Sequence, residues 1–255
     1  TQQRGTVNPK VGVSYRLKEQ FTMRGSYYHS FRAPTLNELY RGFRVGNVIT
    51  NPNDLLGPEK LKGAEGGLDW QPGANVTARI NGFWNRLENA VSNVTVSALP
   101  NLIMRRRENV GAIVAKGVEA DVALRWRPGW SLRGAYLWSN SKVTEFPPNP
   151  ALQSKWVPQV PQHRVTASLS YSNPRIMDAF VSARFVGAQY DDDLNLLLLG
   201  NFAVLDFQLS RSLHRSLRVY AAAENLFDRR FAVARTPVEN IGAPRMLHAG
   251  LKLTF

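Results

Sequence analysis

The chain has 255 residues, 44% of them hydrophobic, no cysteine and a formal net charge of +13 with a sequence pI near 10.4. That size suits one large β domain or two ordinary ones, and the lack of thiols excludes a disulfide framework and a thiolate metal site. The longest aliphatic run, residues 194–199, is broken by Asn195, so no segment supplies the roughly 20 apolar residues of a membrane-crossing helix. Strong positive charge ordinarily points to nucleic acid. Here the cations are spread along the chain, and only Arg105, Arg106 and Arg107 form a tight run, which reads as a solvated loop. No nucleic-acid partner is expected. The chain opens at Thr1 without a leader pattern, as a processed or truncated piece would.

Strand patterns begin at once. Residues 7–17 put Val11, Val13, Tyr15 and Leu17 on one face, and a second segment follows over 21–30 after a short turn. Next come 61–70 and 76–87, where Val76, Ala78, Ile80, Gly82 and Trp84 alternate with Thr77, Arg79, Asn81 and Phe83. The clearest case is 118–126, with Val118, Ala120, Val122, Leu124 and Trp126 on one side. Further segments are 130–140, 163–172, 179–190, 202–210 and 217–223. The last is 246–255, where Leu247, Ala249, Leu251, Leu253 and the terminal Phe255 alternate with polar or small residues. Pattern matching thus predicts about eleven strands, each with one apolar and one polar face.

The predicted links alternate in length. Short ones fall near 18–19, 71–74, 127–129, 173–176 and 213–215; long ones span 31–60, 88–109, 144–162, 191–201 and 224–245. Tight turns at one end and long loops at the other are the habit of outer-membrane barrels. Trp84, Trp126, Trp130, Tyr136, Trp138 and Tyr171 lie near strand ends or on the apolar face, where interfacial girdles form. The expected fold is therefore all-β, an antiparallel transmembrane β-barrel. Single-chain bacterial barrels have even strand numbers, so an odd count implies part of one.

Two stretches carry more than periodicity. The first runs Ser30-Phe31-Arg32-Ala33-Pro34-Thr35-Leu36-Asn37-Glu38-Leu39-Tyr40, followed by Asn51-Pro52-Asn53 and Gly57-Pro58-Glu59. The second is Glu224-Asn225-Leu226-Phe227-Asp228. With the terminal Phe255, these resemble the carboxy-terminal half of TonB-dependent outer-membrane receptors, whose plugged barrels have about 22 strands. The resemblance covers all 255 residues. It implies a single unit over 1–255 with the plug domain absent. It also implies a bacterial outer-membrane location and uptake of a scarce ligand of the ferric siderophore or cobalamin type, energised by TonB through the missing plug. The last strand, with Leu251, Leu253 and Phe255, would be the signal read by the barrel-assembly machinery, and outer-membrane lipid would cover the apolar face. The haem branch of the family carries a histidine between the two boxes; no histidine lies between Pro34 and Asn51.

Candidate ligand-binding residues are Arg32, Glu38, Tyr40, Arg79 and Arg133. Arg32 is a guanidinium at a strand end that can clamp a carboxylate, with Glu38 its candidate partner; ordering of the loop base is favoured over ligand contact. Pro34 fixes the backbone where the strand leaves its ladder. Asn225 and Asp228 suit a turn held by side-chain to backbone bonds. On the polar face, Arg16, Arg24, Arg79, Arg125, Arg133, Arg184, Arg218 and Lys252 outnumber Glu119, Asp121 and Asp206, a wall that could pair with a plug or attract an anion. Asp191, Asp192 and Asp193 read as a solvated loop tip. The histidines are too scattered for a metal site, no catalytic constellation appears, and neither cofactor nor enzymatic activity is expected. The competing reading is a passive, porin-like barrel segment.

Overall fold

The computed structural model describes residues 7–147 and 149–254. Strands β1 (Lys10–Lys18) and β2 (Phe21–Arg32) form a hairpin, and a loop follows with helix α1 (Leu36–Tyr40), β3 (Phe43–Val45) and β4 (Val48–Asn51). Four long strands come next: β5 (Glu59–Gly73), β6 (Val76–Leu99), β7 (Leu102–Arg127) and β8 (Trp130–Glu145). The chain continues through a short 3₁₀ turn (Pro150–Leu152), β9 (His163–Asn173), β10 (Met177–Val186), β11 (Gln189–Tyr190) and β12 (Leu198–Leu199). It ends with β13 (Phe202–His214), β14 (Leu217–Glu224), β15 (Ala232–Ala234), β16 (Asn240–Ile241) and β17 (Met246–Leu253).

Among the described residues, one sheet runs β1-β2-β5-β6-β7-β8-β9-β10-β13-β14-β17, every neighbour along that path antiparallel. These eleven strands are the eleven expected. The sheet does not close: β1 and β17 are its two edges. Side chains in register share a face, so one side carries Val13, Met23, Leu68, Ile80, Val122, Leu132, Val181, Leu205, Val219 and Leu251. No protein layer covers that side: Ile80, on a central strand, is 51% exposed and Leu251 is 71% exposed. At the short-turn end Trp126 stacks on Trp130 with ring centroids 5.9 Å apart, and Tyr171 lies tilted against Trp130 at 4.9 Å. About eight residue steps separate Trp130 from Trp138, roughly 27 Å of strand, close to the apolar band of about 25 Å on outer-membrane barrels.

The loop end holds the core. Leu87, Ile113 and Val143 are register partners on the polar side, and they pack with buried Ala90, Val94, Val110, Phe146 and Leu152 and with Leu194. The loops after β8 and β10 thus fold onto the wall beyond its apolar band.

Several sequence expectations are corrected. Residues 88–109 form no long loop: β6 and β7 continue as one paired ladder up to Leu99 and Leu102. The rising hairpin carries charged residues such as Arg106 and Glu108 where the lower wall alternates with apolar ones, and these disguised it. Arg105, Arg106 and Arg107 are accordingly strand residues. The segment 179–190 is two strands, broken at Gly187, where an added Cβ would meet the His163 carbonyl oxygen at 3.1 Å. The first strand starts at Lys10 rather than at Val7. Phe255 lies outside the described residues.

Candidate functional site

At the loop end, β2 finishes on Arg32 and Pro34 follows two residues later. Thr35 then caps α1: its hydroxyl accepts from the Glu38 N–H at 3.3 Å, and the Glu38 carboxylate accepts from the Thr35 N–H at 2.7 Å. Glu38 also takes both terminal nitrogens of Arg32, at 2.9 and 3.1 Å. The remaining Arg32 Nε donates to buried Glu59 at 2.5 Å, and the other Glu59 oxygen accepts from the Val91 N–H at 2.7 Å. One guanidinium therefore joins the helix to the foot of β5 and, through Glu59, to β6. The Arg32 bonds, aided by those from Thr35 and opposed by burial, hold the Glu38 carboxyl down at about 2. Its carboxylate partners raise Arg32 above its ordinary value.

The rest of the loop is strapped to the tall hairpin. Arg107 donates to the carbonyl oxygens of Asn37 and Arg41, closing the free end of α1, and its guanidinium lies 5.5 Å from the Phe43 ring centre. Asn51 pairs in parallel with Arg106 in the β4–β7 ladder, and Pro52 follows it. Asn53 donates to the Arg107 carbonyl at 2.9 Å. Asn109 accepts from the Gly57 N–H at 2.7 Å and returns a bond to the Gly57 carbonyl at 3.1 Å.

The three aspartates are a second knot, and the expectation of a solvated tip was wrong. Asp191 and Asp192 are buried. Asp191 accepts from the N–H groups of Arg235 and Thr236, from the Thr236 hydroxyl and from Gln159. Asp192 accepts from the N–H groups of Leu196 and Leu197. Asp193 accepts from the N–H and hydroxyl of Thr95, on the tall hairpin. Burial alone would raise the Asp191 carboxyl; the bonds from Gln159, Arg235 and Thr236 outweigh it and leave the group below its usual range. Asp191 and Asp193 thus tie their loop to three other parts of the loop end, while Asp192 orders the loop itself.

The Glu224–Asp228 motif makes a tight corner. Asn225 and Asp228 have φ of 48° and 52°. The Asn225 side chain is bonded to both the N–H and the carbonyl of Arg229 and to the Ala243 carbonyl, and Asp228 accepts from the Arg245 N–H at 2.9 Å. Leu226 donates its N–H to Leu205, whereas Phe227 is 76% exposed. Glu224, the last residue of β14, lies 3.4 Å from His248.

On the polar face the cations are partly matched within the wall. Arg24 bonds Asp69 at 2.7 Å, Arg79 stands 3.9 Å from the same carboxylate, and Arg218 bonds Asp178 and Ser210. Arg79 and Arg133 flank β7 beside Asp121 and Ala123 respectively. They are not brought together with Arg32: Asp69, level with Arg79, is about ten residues along β5 from Glu59, roughly 33 Å. Tyr40 ends α1 and is 68% exposed. Glu59, Arg107, Asp191 and Thr236 were not singled out as site residues. Glu59 had a local signal in the Gly57-Pro58 turn before it, and Arg107 and Asp191 stand in charge runs that read as solvated loops.

The family described as TonB dependent receptor-like, beta-barrel matches residues 1–226. The chain belongs to the TonB-dependent receptors. The family is one of the bacterial outer membrane. A curated relative, the iron-regulated outer membrane virulence protein of Vibrio cholerae, is 24% identical over an alignment of 242 positions that covers 87% of this chain and 35% of the relative. The chain thus spans about a third of that relative's length. The fold superposes on the siderophore receptor PiuA from Acinetobacter baumannii with a TM-score of 0.76 at 16% identity, covering 96% of this chain and 35% of that one. It also superposes on the copper transporter OprC with a TM-score of 0.75 at 17% identity, covering 96% and 39%.

Proposed function

We propose that the chain is the carboxy-terminal part of a TonB-dependent receptor barrel that takes up a ferric siderophore. The plug and the remaining strands of the ring would lie outside residues 1–255. The observation that carries this reading is the contrast between the two ends of the wall. One end has tight turns, while at the other the long loops are fastened to the wall by Arg32–Glu38–Glu59 and by Asp191–Asp193. Ordered loops over a bore suit capture of a bulky ligand better than free passage of small solutes. The names of an iron-regulated relative and of a siderophore receptor with the same fold favour ferric siderophore over cobalamin.

In this reading Arg79 and Arg133 supply positive potential along the ligand's path, and Tyr40 offers an exposed aromatic ring. Arg32 and Glu38 shape the mouth rather than touch the cargo, because their polar atoms already serve each other, Thr35 and Glu59. TonB would act on the plug, and the last strand would be read by the assembly machinery. The test is uptake of radioactive iron, presented as a panel of siderophores, by cells carrying the full-length receptor with and without TonB. Energised import of at least one member supports the proposal. Iron entry that ignores TonB, together with leakage of small solutes, supports the porin-like alternative.

A further inference from the structure

Positive charge is answered at one end of the wall and left bare at the other. At the loop end Arg32 meets Glu38 and Glu59, Arg86 meets Glu88 and Glu145, and Arg106 meets Glu108. At the short-turn end Lys18, Arg125, Arg127, Arg175, Arg211 and Arg215 are exposed and form no ion pair among the described residues. In and beside these turns the acids are Glu19 and Asp178, and Arg218 already holds Asp178.

Three of the arginines form a line. Arg127, Arg175 and Arg215 stand at the tips of the β7–β8, β9–β10 and β13–β14 hairpins, which are neighbours in the sheet. Each tip is two strand spacings from the next, about 10 Å across the sheet. The tips are braced. Pro128 and Pro174 fix the backbone beside Arg127 and Arg175. Ser172 donates its N–H to the Gly129 carbonyl at 2.8 Å, tying the first turn to the foot of the next hairpin. Asn173 accepts from the Arg175 N–H at 3.0 Å, and the Ser216 carbonyl accepts from the Thr254 N–H at 2.9 Å. A preorganised row of guanidiniums at regular steps suits a polymer with repeated carboxylates. A single phosphate headgroup would need them gathered at one point. Arg125, moreover, has the parity of Asp121 and Ala123, on the polar side of the wall and away from its apolar face.

Short turns of outer-membrane barrels face the periplasm, where the polymer with repeated carboxylates is the cell wall, through its peptide stems. We propose that this row docks the barrel onto peptidoglycan, with Arg127, Arg175 and Arg215 pairing with stem carboxylates. The proposal rests on the outer-membrane placement of the barrel and is independent of which cargo the receptor carries.

The experiment uses the full-length receptor in detergent and measures its cosedimentation with purified peptidoglycan sacculi. Sacculi with amidated stem carboxylates are the second probe, and phosphatidylglycerol added to the micelles is the competitor. Native sacculi should bind, and the binding should weaken with salt. Arg127→Gln/Arg175→Gln/Arg215→Gln together should weaken it about tenfold, and Arg215→Gln alone, at an exposed turn position, about twofold. Lys60→Gln, at the loop end, should leave it unchanged. Heat-modified gel mobility reports whether each variant is assembled, and Arg215→Gln carries the test should the triple variant fail to assemble. Binding equal to the parent in the assembled variants overturns the proposal. So does equal sedimentation with amidated sacculi, which makes the contact non-ionic, or release by phosphatidylglycerol, which assigns the row to lipid. Iron uptake by the same variants is scored separately, so loss of the transport reading leaves this result standing.

Discussion

The carboxylate of Asp191 accepts the backbone N–H of Thr236 at 2.7 Å across 45 positions of sequence. That bond, with its neighbours to Arg235 and Gln159, fastens the loop after β14 to the loops after β8 and β10. Asp191→Ala should leave those donors without an acceptor at about 1–3 kcal/mol each where they stay buried. The expected outcome is protease cleavage near 191–199 and 232–241 on intact cells, with the barrel still assembled. Cleavage no faster than in the parent would show that the knot is idle.

The Glu38 carboxyl titrates at about 2 in the folded protein, against 4.5 for an ordinary glutamate. A depressed value means that its contribution is complete above about pH 4.5 and is lost as pH falls through about 2. The Arg32–Glu38 clasp should therefore persist at neutral and mildly acid pH. A carbon-13 titration of the Glu38 carboxyl should give a midpoint well below the ordinary one; a midpoint near 4.5 would mean that the clasp is absent in solution. Glu38→Gln should cost about 1 kcal/mol, since Arg32 is partly exposed to water.

A charge placed on the lipid side should be expelled. Ile80→Arg should destabilise the assembled barrel by about 2–4 kcal/mol at mid-membrane depth. Asn81→Arg, one residue along and on the opposite face, should be far milder. The folded fraction of each can be read from heat-modified gel mobility of the outer-membrane protein. Equal losses would contradict the assignment of faces.

Gly117 is set by a close approach within the wall. A Cβ there would meet the Trp138 carbonyl oxygen at 2.1 Å and the Phe83 ring at 2.6 Å. Gly117→Val should push β7 and β8 apart and lower the yield of assembled receptor several-fold, overpacking of this kind costing about 1–3 kcal/mol or more. Gly73→Val, where nothing lies within 4 Å of the added atom, is the matched control.

The wall was legible because its physics is local. An apolar face on one side and a polar face on the other impose a period of two on each strand, and segments such as 76–87 and 118–126 display it without help. The loop end was illegible for the converse reason. Beyond the apolar band, β7 carries Glu108 and Arg106, which read as loop although they are paired strand. Asp191 looked like any solvated acid, because its ligands at 159, 235 and 236 lie far off in sequence. The Arg32–Glu38 pairing was visible, being six residues apart, but its third member, Glu59, comes from another strand.

The two unpaired borders, β1 and β17, leave this sheet open on both sides. Each presents a row of amides and carbonyls at membrane depth that neither fatty chains nor side chains can satisfy. Only further strands, laid antiparallel and in step, can complete them. On the proposed reading, the permanence of the eleven strands in a bilayer would be a joint property of the whole cylinder, and a flaw in a distant, closing strand would be felt at Val13 and Leu251 as surely as one beside them.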